Sequence, residues 1–173
     1  MNALANAINP PAPLATDEWA TPPEILERVL AVYGGTIDLD PCADEACSVP
    51  ARCHYTRQDN GLVLPWSGKV FANPPYSKPL LGMFIEHFRR EWRGIPARPR
   101  HEPMHAIFLI PARTDTGWFQ PLWEAKRIVF LKGRLHFSGS KSTGRFASAL
   151  AYFGPKPGRF EDEFSDLGQP VRP

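Results

Sequence analysis

Lys69-Val70-Phe71-Ala72-Asn73-Pro74-Pro75-Tyr76 is the stretch that decides how this chain is read. A short, largely apolar run ends abruptly in two prolines. Proline brings no N–H to a sheet ladder, and two in succession end a strand. Lys69 to Ala72 is therefore read as a strand, with Asn73 to Tyr76 just beyond its carboxyl end.

Downstream, Pro79 to Trp92 has helical spacing, with Leu80, Phe84, Ile85 and Phe88 on one face. Residues 93–103 are an Arg/Pro-rich loop. His105 to Ile110 is a continuous apolar run, the kind buried on both faces of a parallel sheet. Gly117 to Ala125 is expected to form a short helix, with Trp118 and Trp123 in the core. Ile128 to Leu131, Leu135 to Phe137 and Ala147 to Phe153 read as three more strands. Residues 155–173, rich in Pro, Gly and acidic side chains, are expected to be a loose tail.

Upstream, Thr36 to Asp40 is a short strand running into Pro41-Cys42-Ala43. Ile25, Leu26, Val29, Leu30 and Tyr33 mark a helix before it. Thr21 is its expected N-cap, Pro22 its first residue, and Glu24 completes a capping box. Gly34-Gly35 ends it. Residues 44–53 show no clear element, His54 to Arg57 is a possible strand, and Asp59-Asn60-Gly61 is a turn. Residues 1–15 look flexible, so the expected domain spans 16–154.

Strands alternate with helices through the middle of the chain, and its end is strand-rich. The pattern predicts an α/β domain with a mostly parallel twisted sheet and a late antiparallel hairpin. Such sheets bind ligands at the carboxyl ends of their strands. Asp40-Pro41 and Ala72-Asn73 are the ends to examine.

With 173 residues the chain suits one core, and 43% hydrophobic with 22% charged residues is ordinary for a globular domain. No apolar run nears the roughly 20 residues that cross a bilayer. The start lacks the basic and apolar segments of a signal peptide, so a cytoplasmic protein without membrane contact is expected. The net charge of +2 says little, but its distribution says more. Lys126, Arg127, Lys132, Arg134, Lys141 and Arg145 follow one another with no Asp or Glu between them, which suits a polyanion or an ordinary solvated surface. Cys42, Cys47 and Cys53 with His54 match no common zinc spacing, so no metal is expected. Monomer and dimer both stay open.

The tetrad Asn73 to Tyr76 carries a specific chemistry. An exocyclic amine is a poor nucleophile because its lone pair is delocalised into the ring. Two acceptors placed on its hydrogens free that pair. The Asn73 side-chain oxygen is one such acceptor. The Pro74 carbonyl, held by the stiff Pro74-Pro75 backbone, is the other. Tyr76 can lie against a planar base. The competing explanation is a plain strand-ending turn.

Asn73-Pro74-Pro75-Tyr76 resembles the motif of the amino methyltransferases, which act on adenine N6, cytosine N4 and certain glutamine amides. Four further blocks resemble the phage-type DNA N6-adenine methyltransferases: Asp17 to Glu24, Asp38 to Ala43, Ile110 to Phe119 and Gly133 to Phe137. They stand in that family's order across roughly residues 17–153. The resemblance implies a single, pared-down Rossmann-like class I methyltransferase domain with S-adenosylmethionine as cofactor and DNA as partner. It implies Asn73, Pro74, Pro75 and Tyr76 as catalytic. Trp19, Thr21 and Pro22 resemble the segment over the methionine part of the cofactor. Asp40 and Pro41 resemble the first-strand turn beside it, and Asp59 the acceptor for its adenine amine. The other explanation for both aspartates is turn formation. The usual Gly-x-Gly after the first strand is absent.

Six residues are candidates to meet the substrate strand. Arg113, Thr114, Arg134 and Phe137 would lie near the base, and Lys141 and Arg145 on phosphates, with Arg93, Arg98 and Arg100 a second basic group. Rival readings are the same transfer to cytosine N4, RNA adenine or a protein glutamine. Two of other classes are a non-catalytic DNA-binding protein on this scaffold and a zinc-binding adaptor.

Overall fold

The structure, a computed structural model, describes residue 10 and residues 20–94, 104–136 and 146–173. Trp19, Arg98, Arg100, Phe137, Lys141 and Arg145 lie outside the described residues.

Helix α1, Pro23–Tyr33, leads into strand β1, Ile37–Asp40. Its end follows the sequence reading. Gly34 sits in the left-handed region at φ 75°, its N–H donates to Ala31 O, and that of Gly35 donates to Leu30 O, 2.7 Å away. Its start does not. The helix begins at Pro23, Pro22 flanks it with φ −57° and ψ 138°, and no side chain caps it. The Thr21 hydroxyl is spent on Asn73 instead.

Strand β2, Ala51–His54, lies parallel to β1, three residues earlier than the His54 to Arg57 expected. Its edge position explains the miss, because Arg52 and Cys53 are exposed and leave no apolar run to read. Strand β3, Lys69–Ala72, flanks β1 on the other side. Helix α2 is Leu80–Arg93 and strand β4 is His105–Pro111, parallel to β3. A 3₁₀ turn at Gln120–Glu124 stands where a longer helix was expected, and Trp123 is 36% exposed rather than core. Strand β5 is Arg127–Leu131 and β6 is Ser148–Phe153. Leu135 and His136, read as strand, lie outside any element.

The expected loose tail is an ordered part of the fold. It holds helix α3, Pro157–Phe164, and strand β7, Gly168–Val171. Phe160 and Phe164 are fully buried, and the Phe160 ring stacks on Tyr152 at 5.1 Å. Arg28 holds the Asp166 carboxylate through two hydrogen bonds of 2.8 Å. The tail's polar composition hid an i, i+4 aromatic pair that is enough to dock one helix.

These seven strands form one sheet in the order β2-β1-β3-β4-β6-β5-β7. Strands β1 to β4 are mutually parallel. Strand β6 runs against both β4 and β5, so β5 points the same way as the first four. Strand β7 closes the far edge antiparallel to β5. The result is a mixed α/β layer, parallel through its first half, with the antiparallel β5–β6 pair expected late in the chain.

Alternation along each strand feeds two cores. Val70, Ala72, Phe108 and Ile110 face α2 and the 3₁₀ turn. Phe71, Ile107 and Leu109 face α1 and α3. The fully buried β6 belongs at the centre of the sheet, where both faces are covered. No helix among the described residues is long and apolar enough to cross a membrane.

Candidate active site

Strand β1 has β2 on one side and β3 on the other. The chain leaves β1 in one direction, then crosses back to the other side. That reversal opens a crevice at the carboxyl ends of β1 and β3, where ligands bind in sheets of this kind. Asp40-Pro41-Cys42 stands on one side and Asn73-Pro74-Pro75 on the other.

Asp40 is buried, and one carboxylate oxygen accepts from the Cys42 N–H at 3.1 Å. Burial raises its pKa from 3.8 to about 6, while the Cys42 N–H and the nearby His54 pull it back. The Tyr55 N–H donates to the Asp40 carbonyl and the Ala43 N–H to the Tyr55 carbonyl, so β2 grips the turn. Asp59 holds a tight turn of its own: one oxygen accepts from the Thr56 N–H at 2.9 Å and from its hydroxyl at 2.7 Å. These bonds hold its pKa below the ordinary value. Both aspartates therefore form turns, and each bond described uses a single carboxylate oxygen, of several lone pairs.

Asn73 is anchored at both ends of its carboxamide. Nδ2 donates to Thr21 Oγ1 at 3.1 Å, and Oδ1 accepts from the Tyr76 hydroxyl at 2.9 Å. The same hydroxyl lies 3.4 Å from Leu109 O, and the ring packs on the core beneath α1. Burial pushes the phenol pKa far up, so Tyr76 stays a neutral donor. An amide oxygen has two lone pairs, and Tyr76 uses one.

Two cavities touch the end of this tetrad, one at Pro75 and one at Tyr76. The first, about 100 Å³, is lined by the Pro41-Cys42-Ala43 turn, Tyr55 to Arg57, Asn60 to Leu62, Pro75, Leu80 and Phe84. The second, about 250 Å³, is lined by Tyr76 to Pro79, Leu81, Gly82, Pro111, Arg113, Trp118 and Phe146. Adjacent residues, Pro75 and Tyr76, thus face different cavities. Arg113 stands over the Phe146 ring, 5.9 Å from its centre. Thr114 is exposed, and its carbonyl accepts from Gln120. Pro22 and Thr21 are buried beside the tetrad, and Arg134 is exposed.

A family model for DNA N-6-adenine-methyltransferase (Dam) matches residues 12–152. The chain belongs to that family. No curated protein sequence matches it. Membership makes DNA the substrate class and adenine N6 methylation the activity in general terms. The five sequence blocks all fall within the matched residues.

DNA as a substrate sharpens the reading of the basic residues. Arg127, the second cation of the basic run, is taken up by the tail. Its Nε sits 2.6 Å from Glu161, which also lies 3.7 Å from Arg172. Arg93 is paired with Glu124 at 2.7 Å. Each is thus paired with a carboxylate. Among the described residues no three His, Cys, Asp or Glu side chains gather to hold a metal ion.

Sequence reasoning missed Gly61 and Trp66. Trp66 is 1% exposed, its Nε1 donates to Gly61 O at 2.8 Å, and its ring packs among Phe84, His87, Phe88 and Phe108. His87 is buried beside it; its Nε2 lies 2.8 Å from Leu64 O, and burial lowers its pKa. Gly61 packs directly on the Pro41 carbonyl: a Cβ there would stand 1.9 Å from that oxygen. The only available signal was the turn Asp59-Asn60-Gly61, which does not show what Gly61 approaches.

Proposed function

We propose that this family member transfers the methyl group of S-adenosylmethionine directly to N6 of an adenine flipped out of DNA. The observation that carries the reading is that two adjacent tetrad residues line different cavities, Pro75 the first and Tyr76 the second. A transfer between two bound molecules needs that arrangement.

The scaffold supports a Rossmann-like class I domain: ligand-bearing turns flank the strand-order reversal, with helices on both faces of a largely parallel sheet. The first cavity fits the cofactor's chemistry. Tyr55, Leu62, Pro75 and Phe84 offer apolar and aromatic surface for a purine, and Asn60 and Thr56 offer polar atoms at its edge. Asp40, Pro41 and Asp59 belong to the turns that shape it, Thr21 and Pro22 to the segment beside the tetrad, and Trp19 is proposed for the cofactor from the resemblance alone. When bound, S-adenosylmethionine supplies an activated methyl.

The rest is done by the chain's own groups. An adenine amine in a duplex is paired and stacked, so the base must leave the stack. The second cavity receives it, with the Tyr76 ring as a stacking wall. Asn73 Oδ1 accepts one amine hydrogen, and the Pro74 carbonyl accepts the other. Both acceptors raise the amine's nucleophilicity and fix it in line, where positioning supplies much of the rate. The product ammonium is acidic and loses its proton to solvent without a dedicated base. Arg113 and Lys78 line this cavity and, with Thr114 next to Arg113 in the chain, meet the flanking strand. Arg134, Phe137, Lys141 and Arg145 extend the DNA face.

The test is incubation with methyl-labelled S-adenosylmethionine and unmethylated DNA, followed by nucleoside analysis. Label should appear in N6-methyladenine and fall by several orders of magnitude with Asn73→Ala. Removing a single polarising group at a reacting centre costs about 10²–10³-fold, and Asn73 also positions. Label in N4-methylcytosine, in RNA or in protein would replace the substrate. Near-normal turnover by Asn73→Ala would sink the mechanism.

A further inference from the structure

The family resemblance places Thr21 with the cofactor. The hydrogen bonds add a contact to the tetrad. Its Oγ1 accepts from Asn73 Nδ2 at 3.1 Å, across 52 residues of sequence, and the residue is 6% exposed. The capping bond expected of it is not made.

We propose that Thr21 is a positioning residue that sets the rotation of the Asn73 carboxamide. The inference rests on the reading of Asn73 as an acceptor for the substrate amine. The last torsion of an Asn side chain is soft and broadly populated. A single bond, from Tyr76 to Oδ1, would hold one end of the amide and let its plane swing. A second bond at the opposite end removes that freedom. With both in place, one Oδ1 lone pair points at Tyr76 and the other keeps a fixed direction for the incoming amine.

The anchor is itself rigid. Thr21 precedes Pro22, which biases its backbone to an extended conformation. Its β-branch restricts χ1. Pro22 then flanks the start of α1, whose Ile25 and Val29 are fully buried. Asn73 is therefore referenced to the α1 layer through Thr21 and to β4 through Tyr76, which also reaches Leu109 O.

Thr21→Val keeps the shape and removes the acceptor. Thr21→Ser keeps the acceptor and removes the methyl. The expected result is a kcat about three- to tenfold lower for Thr21→Val, the scale of one neutral hydrogen bond lost at the reacting step. Cofactor Kd and KM for DNA should stay unchanged, and Thr21→Ser should stay within about twofold of the parent. The second readout does not depend on turnover. In ¹⁵N-edited spectra, the Asn73 side-chain amide protons should exchange with solvent faster in Thr21→Val than in the parent or in Thr21→Ser.

A loss in Thr21→Ser with little or none in Thr21→Val would overturn the proposal in favour of packing by the methyl that Ser lacks. A raised cofactor Kd at unchanged kcat would overturn it in favour of a cofactor contact. Unchanged kcat with unchanged amide exchange would overturn it outright. If the parent chain makes no N6-methyladenine, the reaction assigned to Asn73 fails, while the amide exchange still decides whether Thr21 anchors it.

Discussion

Gly61→Ala should damage the first cavity, the proposed cofactor site, more than its single methyl implies. A Cβ at Gly61 would stand 1.9 Å from the Pro41 carbonyl oxygen and 3.0 Å from its carbon. Ordinary contact begins near 3.4 Å, so the two backbones must separate by about 1.5 Å. Neither has an easy way to move. The Asp59-Asn60-Gly61 turn is tied by Trp66, whose buried indole donates to Gly61 O, and by the Asp59–Thr56 bonds. The Pro41 turn is tied by Asp40 to Cys42 and by Tyr55. Overpacking of this kind costs about 1–3 kcal/mol of stability. Both turns also line the first cavity, and a displacement of about 1 Å at a site can cost 10²-fold in function. We expect a lower Tm and a cofactor Kd raised at least tenfold by calorimetry. Gly158→Ala, at a helical position with nothing within 4 Å, is the control and should raise Tm slightly. If Gly61→Ala binds cofactor as the parent does and melts at the same temperature, the close approach is not structural. If only Tm falls, the turn is not a wall of the cofactor site.

Asp40 predicts a pH dependence in the ligand-free protein. Its folded pKa of about 6 exceeds its ordinary 3.8, so the folded state holds the proton more tightly. Its contribution is full below pH about 4, declines as pH rises, and is gone above about 6; the ceiling is roughly 3 kcal/mol. Asp40→Asn should remove that decline, and a parent and variant whose Tm values run parallel from pH 4 to 7 would contradict it. Arg127→Ala should lower Tm by loosening α3 and β7 yet leave the salt dependence of DNA binding unchanged, because Glu161 already holds this guanidinium. A shallower salt slope would return Arg127 to the DNA face.

What was legible in the sequence was what repeats along the chain. The β3 strand and its stop at Asn73 were read to the residue, because prolines act locally. Strand β4 and the apolar face of α2 followed from continuous or periodic apolar residues. The glycine end of α1 was equally local. The failures share a different cause. Thr21 has the right chemistry for a cap, but its partner is Asn73, and no window around residue 21 contains it. The tail's acidic residues looked like a solvated end, yet Glu161 and Asp166 are spent on Arg127 and Arg28.

The missing Gly-x-Gly turn makes the same point at the site itself. A glycine after β1 would let the backbone there approach a ligand closely. This chain has Asp40-Pro41-Cys42-Ala43 in that place, and the close approach is made from the opposite direction, by Gly61 packing on Pro41. The requirement is one of space between two turns, and either turn can supply the missing Cβ. A motif search tests only the first. Exchanging the arrangement, with Gly61→Ala combined with Ala43→Gly, would not restore the cavity, because Ala43 is not the residue a Cβ at position 61 would strike. Cofactor binding recovered by that double variant would mean that slack anywhere in the first turn is enough, and that the Gly61–Pro41 contact has no specific role.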